Sequence, residues 1–132
     1  MSIIDQIGWD KSPEGLVPAV VQDAETKEVL MLGFMNRAAL EKTLHEGKVT
    51  FWTRSRQKLW TKGETSGNVL EFVSLRINCN ADSLLVLARP IGATCHTGHP
   101  TCYFREVEEE HGEWQTITEA QFDPEQVYAK SA

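Results

Sequence analysis

The chain has 132 residues, 41% of them hydrophobic, with 19 acidic against 13 basic side chains and a formal charge of −6. That length suits a single domain over residues 1–132, burying roughly two thirds of its unfolded surface, and leaves no room for a second of ordinary size. The net negative charge excludes a general nucleic-acid or anionic-membrane binder, whose phosphate contacts need a basic surface.

Met1–Gln6 lacks a basic start followed by an apolar run, and no segment approaches the ~20 apolar residues of a membrane helix, so a cytoplasmic protein is expected. Leu16–Asp23 and Glu28–Met35 read as two strands joined by the polar Ala24–Lys27 turn, and Pro18 places the first near a sheet edge. Asn36 then offers a helix cap, Leu40 and Leu44 share one face, and Gly47 is a C-terminal stop. A short helix is therefore expected over 37–46. Strand-like runs rich in β-branched and aromatic residues follow at Val49–Thr53, Val69–Ile77, Ser83–Arg89 and Cys102–Val107. One or two short helices among many strands make the fold class α+β, with a mixed, mostly antiparallel sheet. Thr61–Asn68 is a polar, glycine-containing loop of the kind that presents ligand contacts. Glu108–Glu113 reads as a solvated acidic turn or hairpin, and residues 118–132 as a short helix and frayed end.

Charge is unevenly placed along the chain. Gly47–Gly63 contains no Asp or Glu but five cations: Lys48, Arg54, Arg56, Lys58 and Lys62. A short cationic stretch in an acidic protein suits a small anionic ligand better than a long polyanion. Within it, Arg54-Ser55-Arg56-Gln57 and Trp60-Thr61-Lys62 combine guanidinium forks that match phosphate oxygens with an indole able to stack on a purine. The plainer alternative is a basic solvated strand with a half-buried Trp.

All three cysteines fall in the 24-residue window Cys79–Cys102. Fifteen residues separate Cys79 from Cys95 and six separate Cys95 from Cys102, which matches neither a C-x-x-C redox pair nor a zinc ribbon. Three thiolates would leave a zinc ion one ligand short, the arrangement that binds and activates water, whereas a structural zinc normally closes all four positions. Small hydrophobes in a core are the competing reading of such cysteines. A three-thiolate site acidifies its water less than a three-histidine one and so needs a nearby proton acceptor. His96 beside Cys95 is the candidate general acid/base, or else it only orients a ligand; His99 equally fits an exposed loop residue. Asn78, Asn80 and Asp82 alternate with Cys79, so in an extended segment their oxygens would share one face as a comb for magnesium or calcium. An ordinary Asn/Asp turn is the alternative.

Taken together, Gly33-Phe34-Met35-Asn36, Phe51-Trp52-Thr53-Arg54-Ser55-Arg56, Leu59–Gly67 and Gly92-Ala93-Thr94-Cys95-His96-Thr97-Gly98 resemble the phosphoribosyl-AMP cyclohydrolase family of histidine biosynthesis, over a core of about 15–106 followed by an acidic tail, 107–132. The resemblance implies hydrolysis of the N1–C6 bond of the purine ring of 1-(5-phosphoribosyl)-AMP by zinc-activated hydroxide, giving the phosphoribosylformimino carboxamide ribotide. It implies an obligate, intertwined homodimer with zinc at the interface, held by Cys79 of one chain and Cys95 and Cys102 of the other. His96 would shuttle the proton to N1. Arg54, Ser55, Arg56, Trp60, Lys62, Glu64, Thr65 and Ser66 would bind substrate. Some members continue into a pyrophosphohydrolase domain, which is not expected within these 132 residues.

One departure stands out. The family's Asp-Cys-Asp-x-Asp run, implied to hold magnesium, reads Asn78-Cys79-Asn80-Ala81-Asp82 here. Losing two carboxylates weakens a site for a hard cation, so magnesium affinity is expected to fall. The protein would then work with zinc alone, bind magnesium only with the substrate's help, or lack part of the activity. Two other classes compete: a non-catalytic zinc-stabilised dimer or interaction module with His96 or His99 closing the fourth position, and a thiol redox protein, which the six-residue gap disfavours.

Overall fold

The computed structural model describes residues 3–110 and 112–121. β1 (Val17–Asp23) buries every second residue, Val17, Ala19 and Val21, which is the period a pleated strand imposes. It pairs antiparallel with β2 (Val29–Met35), from Val17 opposite Met35 to Gln22 opposite Val29. The connecting turn closes as its polar composition predicts: Asp23 Oδ1 accepts from the backbone N–H groups of Glu25 (2.8 Å) and Thr26 (3.1 Å).

α1 (Arg37–Glu46) starts and stops where the sequence indicates. Asn36 Oδ1 accepts from the Ala39 N–H at 2.8 Å, and Gly47, at φ 76°, donates to the Thr43 carbonyl at 2.9 Å. A cap of this kind is worth about 1 kcal/mol. The helix buries Ala39, Leu40 and Thr43 against β3 (Thr50–Thr53). Thr43 Oγ1 donates to the Ala39 carbonyl (2.8 Å) and accepts from the Thr50 N–H (2.9 Å), which stitches helix to strand without leaving a buried hydroxyl unpaired.

The main sheet has the order β2-β1-β6-β5, with β5 at Leu70–Ile77 and β6 at Leu84–Pro90. β5 and β6 run antiparallel with an irregularity between Phe72 and Ser74, while β1 and β6 run parallel. The sheet is thus mixed and mostly antiparallel, and the fold is α+β. Pro18 is not at an edge, contrary to expectation, because β1 is an inner strand; its parallel ladder with β6 begins at Ala19, one residue beyond the missing N–H.

β3 forms a separate hairpin with β4 (Lys58–Thr61), a strand not anticipated from its mixture of charge and aromatic residues. Its cross-strand pairs hold it: Thr50 Oγ1 and Thr61 Oγ1 lie 2.9 Å apart, and the Phe51 and Trp60 rings are 5.9 Å between centroids. The hairpin rests on β2, where Phe51 occupies space that only glycine leaves, since a Cβ on Gly33 would meet its ring at 2.5 Å.

The expected strand from Cys102 is shorter, with β7 covering only Arg105–Val107. The residues before it are held to β2 instead, the Thr101 hydroxyl donating to the Val29 carbonyl (2.6 Å) and the Cys102 N–H to the Leu30 carbonyl (2.8 Å). β7 pairs with β8 (Trp114–Thr116), so the acidic segment between them is a hairpin turn. Of the expected C-terminal helix over 118–132, residues 118–121 are not helical and residues 122–132 lie outside the described residues. No helix among the described residues is long and apolar enough to cross a membrane.

Candidate active site

Two stretches far apart in sequence, residues 53–66 and 94–102, meet with Met31 of β2 at one cavity of about 490 Å³. The β3–β4 hairpin contributes Ser55 and Arg56 from its tip and Trp60 from β4, the loop after β4 contributes Lys62, Thr65 and Ser66, and the loop after β6 contributes His96 and Cys102. The two loops are locked through Asn68. A Cβ on Gly63 (φ 84°) would strike the Asn68 backbone at 2.4 Å, and one on Gly92 (φ 79°) would strike Asn68 Oδ1 at 2.3 Å. Both positions therefore need glycine for space as well as for a left-handed backbone.

The Cys95–Cys102 loop folds back on itself: the Gly98 N–H donates to the Cys95 carbonyl (2.9 Å), and the Cys95 N–H to the His99 carbonyl (3.0 Å). This reversal brings the Cys95 and Cys102 thiols close enough for Cys95 to act on the Cys102 thiol despite the six residues between them. Thr97 Oγ1 donates to Cys95 Sγ at 3.0 Å. Cys95 is buried, while Cys102 is exposed and lines the cavity. The protein packed around the Cys102 sulfur, with Cys95 beside it, pushes that thiol up to about 12. Lys62 is only 5% exposed, and its ammonium reaches the Asn68 carbonyl at 3.4 Å. Burial draws its pKa below the usual lysine range, and the Cys102 and Cys95 sulfurs oppose that shift. The sequence places Lys62 among the substrate-binding residues; in the structure it lines the cavity as a buried cation on which the Cys102 and Cys95 sulfurs act.

Other expected site residues stand elsewhere. The Arg54 guanidinium lies 4.2 Å over the Phe34 ring, and Glu64 is exposed; neither lines the cavity. His99 is not a free loop residue: its ring stacks on Phe104 at 3.9 Å, and Nδ1 pairs with Thr118 Oγ1 at 2.7 Å. Cys79 is exposed on the turn between β5 and β6, and no three His, Cys, Asp or Glu side chains cluster among the described residues. One chain thus joins two of its three sulfurs. Two thiols near each other, with a buried cation to balance them, are soft donors of the kind that suit zinc, but they supply two of the four positions it normally fills.

Magnesium fits less well. Asn78, Asn80 and Asp82 do not form an extended comb, because the segment turns tightly, with Ala81 at φ 56° and its N–H donating to the Asn78 carbonyl at 3.0 Å. The run offers one carboxylate, already hydrogen-bonded to the Asn78 amide.

The cavity also uses residues the sequence reading passed over, among them Met31, Thr53 and Thr94. The hydroxyls of Thr53 and Thr94 are buried without a partner among the described residues, and Thr94 is 1% exposed. Their signal was present in motifs already quoted, as hydroxyl residues embedded in otherwise apolar or glycine-rich positions.

Comparison with known proteins gives a consistent result. Residues 31–104 match the model of the family described as phosphoribosyl-AMP cyclohydrolase. The chain is 55% identical over 108 residues to the histidine biosynthesis bifunctional protein HisIE of Photobacterium profundum, covering 82% of this chain and 52% of that protein. It thus spans about half the length of the bifunctional relatives it matches. It is 44% identical over 131 residues to the phosphoribosyl-AMP cyclohydrolase of Chloroherpeton thalassium, covering 99% of this chain and 92% of that protein. To the protein of that name from Desulfatibacillum aliphaticivorans it is 52% identical over 118 residues, or 88% of this chain and 92% of the relative. With its family signature seated around the cavity and so much of its length shared, the chain belongs to the phosphoribosyl-AMP cyclohydrolase family.

Proposed function

We propose that this protein opens the purine ring of 1-(5-phosphoribosyl)-AMP by hydrolysing its N1–C6 bond, in the histidine pathway and in a reducing cytoplasm where three unpaired thiols persist. The observation that carries this reading is the convergence of His96, Cys102, Lys62, Arg56 and Trp60 on one cavity of about 490 Å³, a size suited to a nucleotide.

Cys95 and Cys102 of one chain and Cys79 of another would hold zinc in a homodimer. Zinc there would supply a Lewis acid and a more acidic water. The exposed apolar side chains Val73 and Ile77 on the edge strand β5 support association with a second copy. Arg56, Ser55, Thr65 and Ser66 offer donors to the phosphoryl groups, and Trp60 presents an aromatic surface to the base. Ribosylation at N1 makes the ring cationic and C6 electrophilic. His96 accepts a proton as water adds at C6 and returns it to N1 as the N1–C6 bond breaks, leaving C6 as a carboxamide on the imidazole ring and N1 attached to the formimino carbon C2.

The rival readings lose ground on particular contacts. A closed structural zinc needs His96 or His99 as a fourth ligand, and His99 is engaged by Phe104 and Thr118. A redox pair needs a depressed thiol pKa, whereas burial pushes Cys102 up to about 12. The test is direct: zinc-quantified protein is incubated with phosphoribosyl-AMP and ring opening followed by absorbance, alongside Cys95→Ala and His96→Ala. Turnover lost in both variants is expected. A fully zinc-loaded wild type that leaves the substrate intact would refute the proposal.

A further inference from the structure

The turn between β5 and β6 completes its hydrogen bonds with groups of its own. Asn78 Oδ1 accepts from the backbone N–H groups of Asp82 (2.9 Å) and Ser83 (2.9 Å). Those two donors fix which way the amide faces, so Nδ2 is left to donate to Asp82 Oδ1, at 2.7 Å. The turn is also strapped from outside. The Lys11 ammonium donates to the Asn80 carbonyl, and the Gly8 N–H donates to the Ala81 carbonyl at 2.6 Å. A positive charge from the N-terminal segment therefore already stands on the backbone of this turn.

The chemistry of residue 78 decides what else the turn requires. A carboxylate there, accepting the same two N–H groups, would hold its second oxygen where Nδ2 now stands, 2.7 Å from Asp82 Oδ1. Two ionised oxygens that close repel unless a proton or a cation lies between them. An amide carries its own proton to that place.

We infer that in this chain the Asn78 amide, assisted by the Lys11 ammonium, replaces a divalent cation as the strut of the β5–β6 turn, so that the turn takes up no magnesium and does not depend on it. The consequence for function is that Cys79, which sits within this turn, is held in position by hydrogen bonds instead of a second metal. The inference is independent of the ring-opening reading, because it is tested by binding heat and melting temperature and not by turnover.

Magnesium is titrated by calorimetry into the full-length, zinc-quantified protein and into the double variant Asn78→Asp/Asn80→Asp, in buffer freed of magnesium without a chelator so that zinc is retained. Each is also melted with and without millimolar magnesium. Wild type should give no binding heat and an unchanged melting temperature. The double variant should melt about 4 to 10 °C lower without magnesium and regain the difference with it. Magnesium-binding heat in wild type, or a wild-type melting temperature raised by magnesium, overturns the inference; so does a double variant as stable as wild type in magnesium-free buffer. Should the double variant not fold without magnesium, the wild-type titration alone decides.

Discussion

Lys62 separates two accounts of the cationic stretch. If its ammonium served only the substrate's phosphate, Lys62→Met would raise KM and leave zinc binding untouched. Its setting points to a different role: it is 5% exposed, its one long hydrogen bond is 3.4 Å to the Asn68 carbonyl, and the Cys95 and Cys102 sulfurs lie close enough to oppose the burial effect on its pKa. A zinc ion held by three thiolates as proposed would carry a formal charge of −1, which a buried ammonium near the sulfurs would neutralise. Groups that support a metal in this way are typically worth 10- to 100-fold in affinity, or about 1.4 to 2.7 kcal/mol. Lys62→Met should therefore release zinc to a chromophoric chelator at correspondingly lower chelator concentration. In the zinc-free protein the sign reverses. The ammonium is then a buried charge without an ionised partner, and an apolar side chain of similar volume should match or raise the melting temperature. Unchanged zinc affinity, or a zinc-free variant that melts below wild type, would refute this role and return Lys62 to simple phosphate binding.

The buried, unpartnered Thr94 hydroxyl should be a cost to the empty protein and a contact for the bound ligand. Thr94→Val is expected to raise stability in denaturant titration by about 1 kcal/mol while raising KM, since an unsatisfied buried hydroxyl carries a penalty of about 1 to 3 kcal/mol. A pH titration of the zinc-free protein tests the thiol pair. Cys102 keeps its proton in the folded chain up to about 12 but loses it in the unfolded chain above about 9, so folding is favoured fully below that range and stability falls as pH rises through it. Cys102→Ala should remove that alkaline loss, read as the change in melting temperature between neutral and alkaline buffer.

Local rules carried much of the fold. The Asn36 and Gly47 caps fixed both ends of α1 because capping depends on a few neighbouring atoms, and alternation located β1 for the same reason. Expectations failed where a distant partner decides. Pro18 suits an inner strand because β6 begins its parallel pairing one residue later, which no local pattern encodes. The segment at Cys102 is β-rich in composition, yet the Thr101 hydroxyl bonds to β2 and delays β7 to Arg105. At the site, the motifs named most of the residues that line the cavity, but could not say that Arg54 would lie over Phe34. A guanidinium serves a phosphate or an aromatic face equally well, and tertiary packing makes the choice. The closeness of Cys95 and Cys102 was implied by the family resemblance but not by their spacing, since it comes from a backbone reversal between them.

The separation of Cys79 from the other two sulfurs makes a quantitative demand on the assembled protein. Cys102 lines the cavity with the buried Cys95 near it, while Cys79 is exposed on the β5–β6 turn, so the proposed zinc site would be complete only when two chains exchange sulfurs. In a two-fold dimer each of two sites then draws Cys79 from one chain and the pair from the other. Cys79→Ala and Cys95→Ala should each be inactive alone. Mixed and reassembled in equal amounts, about half of the dimers are hybrids, and in each hybrid one site receives an intact Cys79 from the Cys95→Ala chain and an intact pair from the Cys79→Ala chain. The mixture should recover about a quarter of wild-type turnover and of its zinc per chain, because half of the dimers hold one good site of two. If all three sulfurs instead served a site within one chain, no mixture could rebuild it, and recovery would be nil.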